Sequence, residues 1–74
     1  MHCVYVLKNE KKNRWYIGYT ADLQQRVRQH KQLHPRYKLV YYEIYTDKRK
    51  AVNREKKLKH YGSAWRALRD RLQA

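Results

Sequence analysis

Seventy-four residues suffice for one small core and not for two, so residues 1-74 are expected to form a single domain. Lysine and arginine number 19 against six acidic residues, a net charge of +13, and repulsion on that scale is relieved when a polyanion gives up its condensed counterions to the protein. A nucleic-acid partner is therefore predicted; a membrane span, which needs ~18 apolar residues in a row, is excluded, as are an intrachain disulfide and a structural zinc site, for Cys3 is alone.

The start Met1-His2-Cys3-Val4 has neither the charged nor the apolar region of a secretory signal, and a cytoplasmic protein, nucleoid-associated when bound, is the expectation. Cys3 to Lys8 and Trp15 to Thr20 are rich in β-branched and aromatic residues around a polar stretch, which predicts two strands joined as a hairpin. From Thr20 to Gln32 the period changes to that of a helix carrying Leu23, Val27 and His30, with Thr20 as its N-cap and Asp22 near the positive end of the dipole. Pro35 bars its continuation, and Lys38 to Thr46 reads as a third strand. Asp47 is a suitable N-cap for a second helix with Ala51, Val52 and Leu58 facing inward, and Gly62 is placed to end it. Ser63 is expected to cap a last helix whose Trp65, Leu68 and Leu72 make one apolar stripe. The predicted fold is mixed α/β, a small three-stranded, mainly antiparallel sheet flanked by helices in the order β-β-α-β-α-α.

Three features can carry chemistry. Arg26 and His30, four apart on the first helix, share a face beside Leu23 and Val27; an isolated pair of this kind is more often a snorkelling arginine and a half-buried histidine. Glu55 lies three after Val52 and three before Leu58, within the inward stripe, where a carboxylate must be ion-paired, hydrogen-bonded or metal-bound. Period two puts Cys3, Tyr5 and Leu7 on one face of the first strand and Tyr16, Gly18 and Thr20 on one face of the second. Glycine inside a strand costs stability unless another backbone or a ligand must come close, whereas the tyrosines need no more than each other.

Val4-Tyr5-Val6-Leu7, Trp15-Tyr16-Ile17-Gly18-Tyr19-Thr20, Asp22-Leu23 with Arg26 and His30, Leu39-Val40-Tyr41-Tyr42-Glu43, and Ala51 with Arg54-Glu55-Lys56 together resemble the GIY-YIG endonuclease family in order and spacing, from about Cys3 to Tyr61. The resemblance implies a phosphodiester hydrolase acting on nucleic acid, DNA foremost, with structure-directed or weakly specific cutting expected of a small member. It implies that Tyr5 accepts a proton from attacking water, that Tyr16 is oriented toward the same phosphate and that Gly18 lets the nucleic-acid backbone approach. Arg26 would hold the scissile phosphate, His30 assist proton transfer and Glu55 ligate the metal. Cys3-Val4 stand where Gly-Ile is usual, and no asparagine follows Glu55 where several members have one.

A two-metal hydrolase needs clustered carboxylates, and only Glu55 is read as inward, so one ion is expected, Mg²⁺ or Mn²⁺. Surrounding cations are expected to favour the tyrosine phenolate. Lys48, Arg49, Arg54, Lys56 and Lys59 give the second helix a basic flank for substrate phosphates. A monomer is the expected state. Two other readings explain the charge without turnover: a binding module on the same fold, and a basic structural protein that stacks and pairs with RNA.

Overall fold

A computed structural model describes residues 1–74. Its elements are β1 (His2–Asn9), β2 (Arg14–Thr20), α1 (Leu23–Leu33), β3 (Tyr37–Tyr45), α2 (Lys48–His60) and α3 (Gly62–Gln73), in the predicted order. The three strands form one antiparallel sheet in the order β2-β1-β3.

The first strand is central and covered on both faces, which is why its apolar run Cys3-Val4-Tyr5-Val6-Leu7 is unbroken and buried throughout. Val4 and Val6 point to one side, where Ala51 of α2 and Leu58 and Leu68 of α2 and α3 close the main core. Trp15, Tyr41, Tyr45, Trp65 and Leu72 pack around it. Tyr5 and Leu7 point to the other side, where α1 lies over the sheet with Val27 and His30 beside Leu7 and Leu39. No residue of α1 is fully buried, so this layer is thin and its polar side chains stay within reach of solvent.

The hairpin β1–β2 closes through Asn13, whose φ of 50° lies in the left-handed region that asparagine tolerates better than most residues. The third strand carries an irregularity. Val6 pairs with Tyr41 but Leu7 pairs with Leu39, leaving Val40 as the extra residue of a β-bulge. The bulge sends Tyr37 and Leu39 to the α1 side and Tyr41, Glu43 and Tyr45 to the α2 side.

Three expected caps are corrected. Thr20 does not cap α1; it stays in β2 opposite Cys3, its hydroxyl turned to the backbone of Asp22, and Asp22 is the N-cap, accepting from the Gln25 amide at 3.1 Å. Gly62 does not end α2 and Ser63 does not start α3: Tyr61, extended at φ −111°, stands at the boundary of both helices, so no left-handed residue is needed. Asp47 caps α2 as expected, accepting from the Arg49 amide at 2.8 Å.

Candidate active site

Pairing fixes the first part of the site. Tyr5 stands opposite Gly18 and Leu7 opposite Tyr16, and His30 reaches the same surface from α1. The Tyr5 and Tyr16 rings lie 6.1 Å apart, Tyr5 and His30 6.0 Å, and Tyr16 and His30 5.0 Å. Tyr16 is 41% exposed whereas Tyr5 is 1% exposed, so one phenol faces solvent and the other is enclosed behind it. The Tyr5 hydroxyl is buried and hydrogen-bonds no protein group.

Gly18 makes room for that tyrosine. A Cβ on Gly18 would overlap the Cζ and hydroxyl of Tyr5 and come within 2.9 Å of its Cε1. The bare backbone is thus first a seat for the Tyr5 ring, a nearer reason for glycine than approach by a nucleic-acid chain. Gly18→Ala is expected to cost about 1–3 kcal/mol by overpacking, read as a shifted denaturation midpoint. Tyr5→Ala should relieve the overlap, so the double variant should lose less than the sum of the two; strict additivity would refute the close packing of Gly18 on Tyr5.

The cations do not make Tyr5 a phenolate. Burial pushes its pKa up to about 12, Tyr16 adds to the rise, and the Arg26 guanidinium opposes it only in part. Glu55 adds a further small push in the same direction, so the charges of Arg26 and Glu55 both act on this hydroxyl. The expectation of a stabilised phenolate is overturned because desolvation of a fully enclosed ring exceeds the attraction of nearby positive charge. His30 moves the other way: burial, then His34 and Arg26, lower its pKa from the ordinary 6.5, and the ring is neutral at pH 7.

Glu55 is half-buried on α2 and pairs with Lys59 one turn on, Nζ to Oε2 3.2 Å. It is a lone carboxylate, with no cluster of three or more His, Cys, Asp or Glu around it. Arg26 is half-buried, while Lys48, Arg49 and Lys56 are exposed along α2.

Arg54, expected on the substrate surface, is instead committed to Glu43. Its Nε donates to Oε1 at 3.0 Å and its Nη2 to Oε2 at 3.1 Å, a two-pronged pair. Tyr41 and Tyr45 donate their hydroxyls to the same carboxylate, the latter at 2.6 Å. Sequence reasoning missed this network because its members stand on two elements, 11 positions apart. It also missed His34 and Tyr37, whose rings extend the aromatic cluster beyond His30. The four-residue spacing of His30 and His34 on one helix was the available signal.

Residues 1–68 match the family model of the GIY-YIG catalytic domain. The chain belongs to the GIY-YIG family. No curated protein and no solved structure matches it. Membership gives this GIY-YIG domain a nuclease-type function with nucleic acid as substrate, in keeping with its charge of +13. No helix of the GIY-YIG domain is long and apolar enough to cross a membrane.

Proposed function

We propose that the protein is a divalent-metal-dependent endonuclease that hydrolyses phosphodiester bonds in DNA, structure-directed or weakly sequence-specific, with Tyr5, Tyr16, Arg26, His30 and Glu55 as its working residues. The observation that carries this reading is the Tyr5 hydroxyl, enclosed without a protein partner and faced by Tyr16 and His30. A buried hydroxyl left unpaired costs about 1–3 kcal/mol, and a substrate oxygen or the attacking water is the partner its position suits.

The donor set fits one Mg²⁺ or Mn²⁺ ion, since Mg²⁺ keeps several waters and takes one or two carboxylates beside substrate phosphate oxygens. Glu55 would hold it, exchanging Lys59 for the ion, and bound there it would supply positive charge to the phosphate and its leaving oxygen. Arg26 holds the scissile phosphate and neutralises charge that grows on it. Tyr16 orients that phosphate from the solvent side. His30, neutral at pH 7, takes the proton of the attacking water, and the Tyr5 hydroxyl, which has no protein partner, hydrogen-bonds and orients that water. The water oxygen joins phosphorus, the bond to the leaving sugar oxygen breaks, and that oxygen takes a proton from solvent. Lys48, Arg49 and Lys56 meet flanking phosphates; Arg54, held by Glu43, is left out of this set.

A binding-only module is favoured by one observation, the Glu55–Lys59 ion pair. Nicking of supercoiled DNA decides between the two. Open circles are expected with Mg²⁺ or Mn²⁺ and none in chelator; intact plasmid under every condition would leave the binding module.

The pH dependence has a sign. Because His30 has a lowered pKa, its accepting form persists below pH 6.5, and cleavage should fall only when acid protonates the ring. The acidic limb of kcat/KM is expected to have its midpoint below 6.5 and to vanish in His30→Ala, whose rate should be down ~100-fold. A midpoint unaffected by that substitution would assign the limb to another group.

A further inference from the structure

Past the Tyr5–Tyr16–His30 centre the aromatic surface continues. His34 lies 6.0 Å from His30 and 6.1 Å from Tyr37, ring to ring, and these three with Tyr16 line a solvent-open cleft of about 210 Å³. Several waters, at roughly 30 Å³ each, would fill such a space, and so would one flat heterocycle. Two local features aim the rings. His34 follows His30 by one helical turn, and the Tyr37 amide donates to the His34 carbonyl at 3.1 Å, closing a turn through Pro35 and Arg36. The bulge at Val40 then keeps Tyr37 on the α1 side of the sheet. A second concavity shares His34 and Tyr37 and is rimmed by Lys12, Arg14 and Arg36, so cations stand beside the aromatic walls.

We propose that this cleft receives an unpaired nucleobase next to the scissile phosphate, stacking it against His34 and Tyr37 while Lys12, Arg14 and Arg36 meet the adjoining backbone. The proposal rests on the nuclease reading of the same site and names the substrate class: nucleic acid with at least one unstacked base near the cut. Aromatic faces interleaved with cations are what single strands require, since every base offers a π-face and every linkage a charge. A continuous duplex keeps its bases stacked inside the helix and cannot fill the cleft without flipping one out.

The test uses two duplexes of equal length, one fully paired and one with a single unpaired 2-aminopurine, bound in chelator so that no cleavage occurs. The unpaired base is expected to be quenched and to tighten binding about tenfold, the size of one stacked base. His34→Ala and Tyr37→Ala should each abolish the preference and the quenching. Tyr37→Phe should keep both. His34 is exposed, so its variant keeps the fold and isolates the ring. Equal binding of the two duplexes with no quenching would overturn the proposal. Quenching that survives both alanine variants and is lost in Tyr42→Ala, an exposed tyrosine elsewhere on β3, would overturn it too. Preference and quenching in a protein that nicks nothing with Mg²⁺ would support the base cleft and sink the nuclease reading instead.

Discussion

Glu55→Gln is expected to lower cleavage at least ~100-fold, about 2.7 kcal/mol of transition-state stabilisation, while nucleic-acid binding stays equal or tightens. The substitution keeps size and hydrogen bonding and removes the charge that would hold the ion. It also removes a negative charge from a surface that meets phosphate, so binding has no reason to weaken. Within the fold Glu55 has one ionic partner, Lys59 at 3.2 Å on the same helix. Helical pairs of this kind contribute only about 0.3–0.5 kcal/mol, so the fold should survive the substitution. Arg26→Ala should likewise abolish cleavage with a much smaller effect on binding, as one of 19 cations. Single-turnover cleavage with Mg²⁺, binding in chelator and a thermal melt read the three quantities separately. Cleavage untouched by Glu55→Gln would make the residue a structural partner of Lys59 and remove the metal assignment.

Glu43→Ala is expected to cause the largest loss of stability of any single substitution considered for this chain. The carboxylate accepts from Arg54, Tyr41 and Tyr45, and its side chain is 16% exposed. Deleting it strands a guanidinium and two phenols against the apolar packing around Val4 and Val6. Breaking a fully buried pair costs about 3–5 kcal/mol; Arg54 is 30% exposed, which discounts this to roughly 2–4 kcal/mol. A domain of this length commands only about 4–11 kcal/mol in all, so the melting point should fall by at least ~10 °C. The acid response should change as well. Burial by itself would raise the Glu43 carboxyl, but the hydrogen bonds from Arg54, Tyr41 and Tyr45 outweigh it and hold the group below its ordinary 4.5. A carboxyl lowered in the folded state contributes stability that is present above 4.5 and lost as pH falls through the lower value. Glu43→Gln should flatten that part of the stability profile; a profile identical to the parent's would contradict the network.

Much of the candidate site was legible in the sequence because it depends on period and parity alone. Alternation puts Tyr5 on one face of the first strand and Tyr16 and Gly18 on one face of the second, so the three could share a surface, and the register, with Tyr5 opposite Gly18 and Leu7 opposite Tyr16, brings them together. Helical spacing in turn set Arg26 and His30 on one side of α1 and kept Glu55 within a turn of Ala51 and Leu58. The family pattern lay in the same residues. End signals were less legible, because several residues compete for them: Thr20 could cap α1 only by leaving its pairing with Cys3, and Asp22 capped it without that loss.

The tertiary structure decided what depends on non-local neighbours. Nothing near Arg54 in the chain tells that its guanidinium is drawn off the basic flank by Glu43, since ion pairing follows distance in space. Tyr5 is a neutral phenol with a pKa pushed up to about 12 because Gly18, Tyr16 and α1 close over it, and solvation is a sum over everything that excludes water. The bulge at Val40 separates Tyr37 and Leu39 from Tyr41, Glu43 and Tyr45, which strict alternation would have put on one face. That one extra residue gives the aromatic cleft its Tyr37 and the Arg54 pair its Glu43, because the residues on either side of it keep opposite parities.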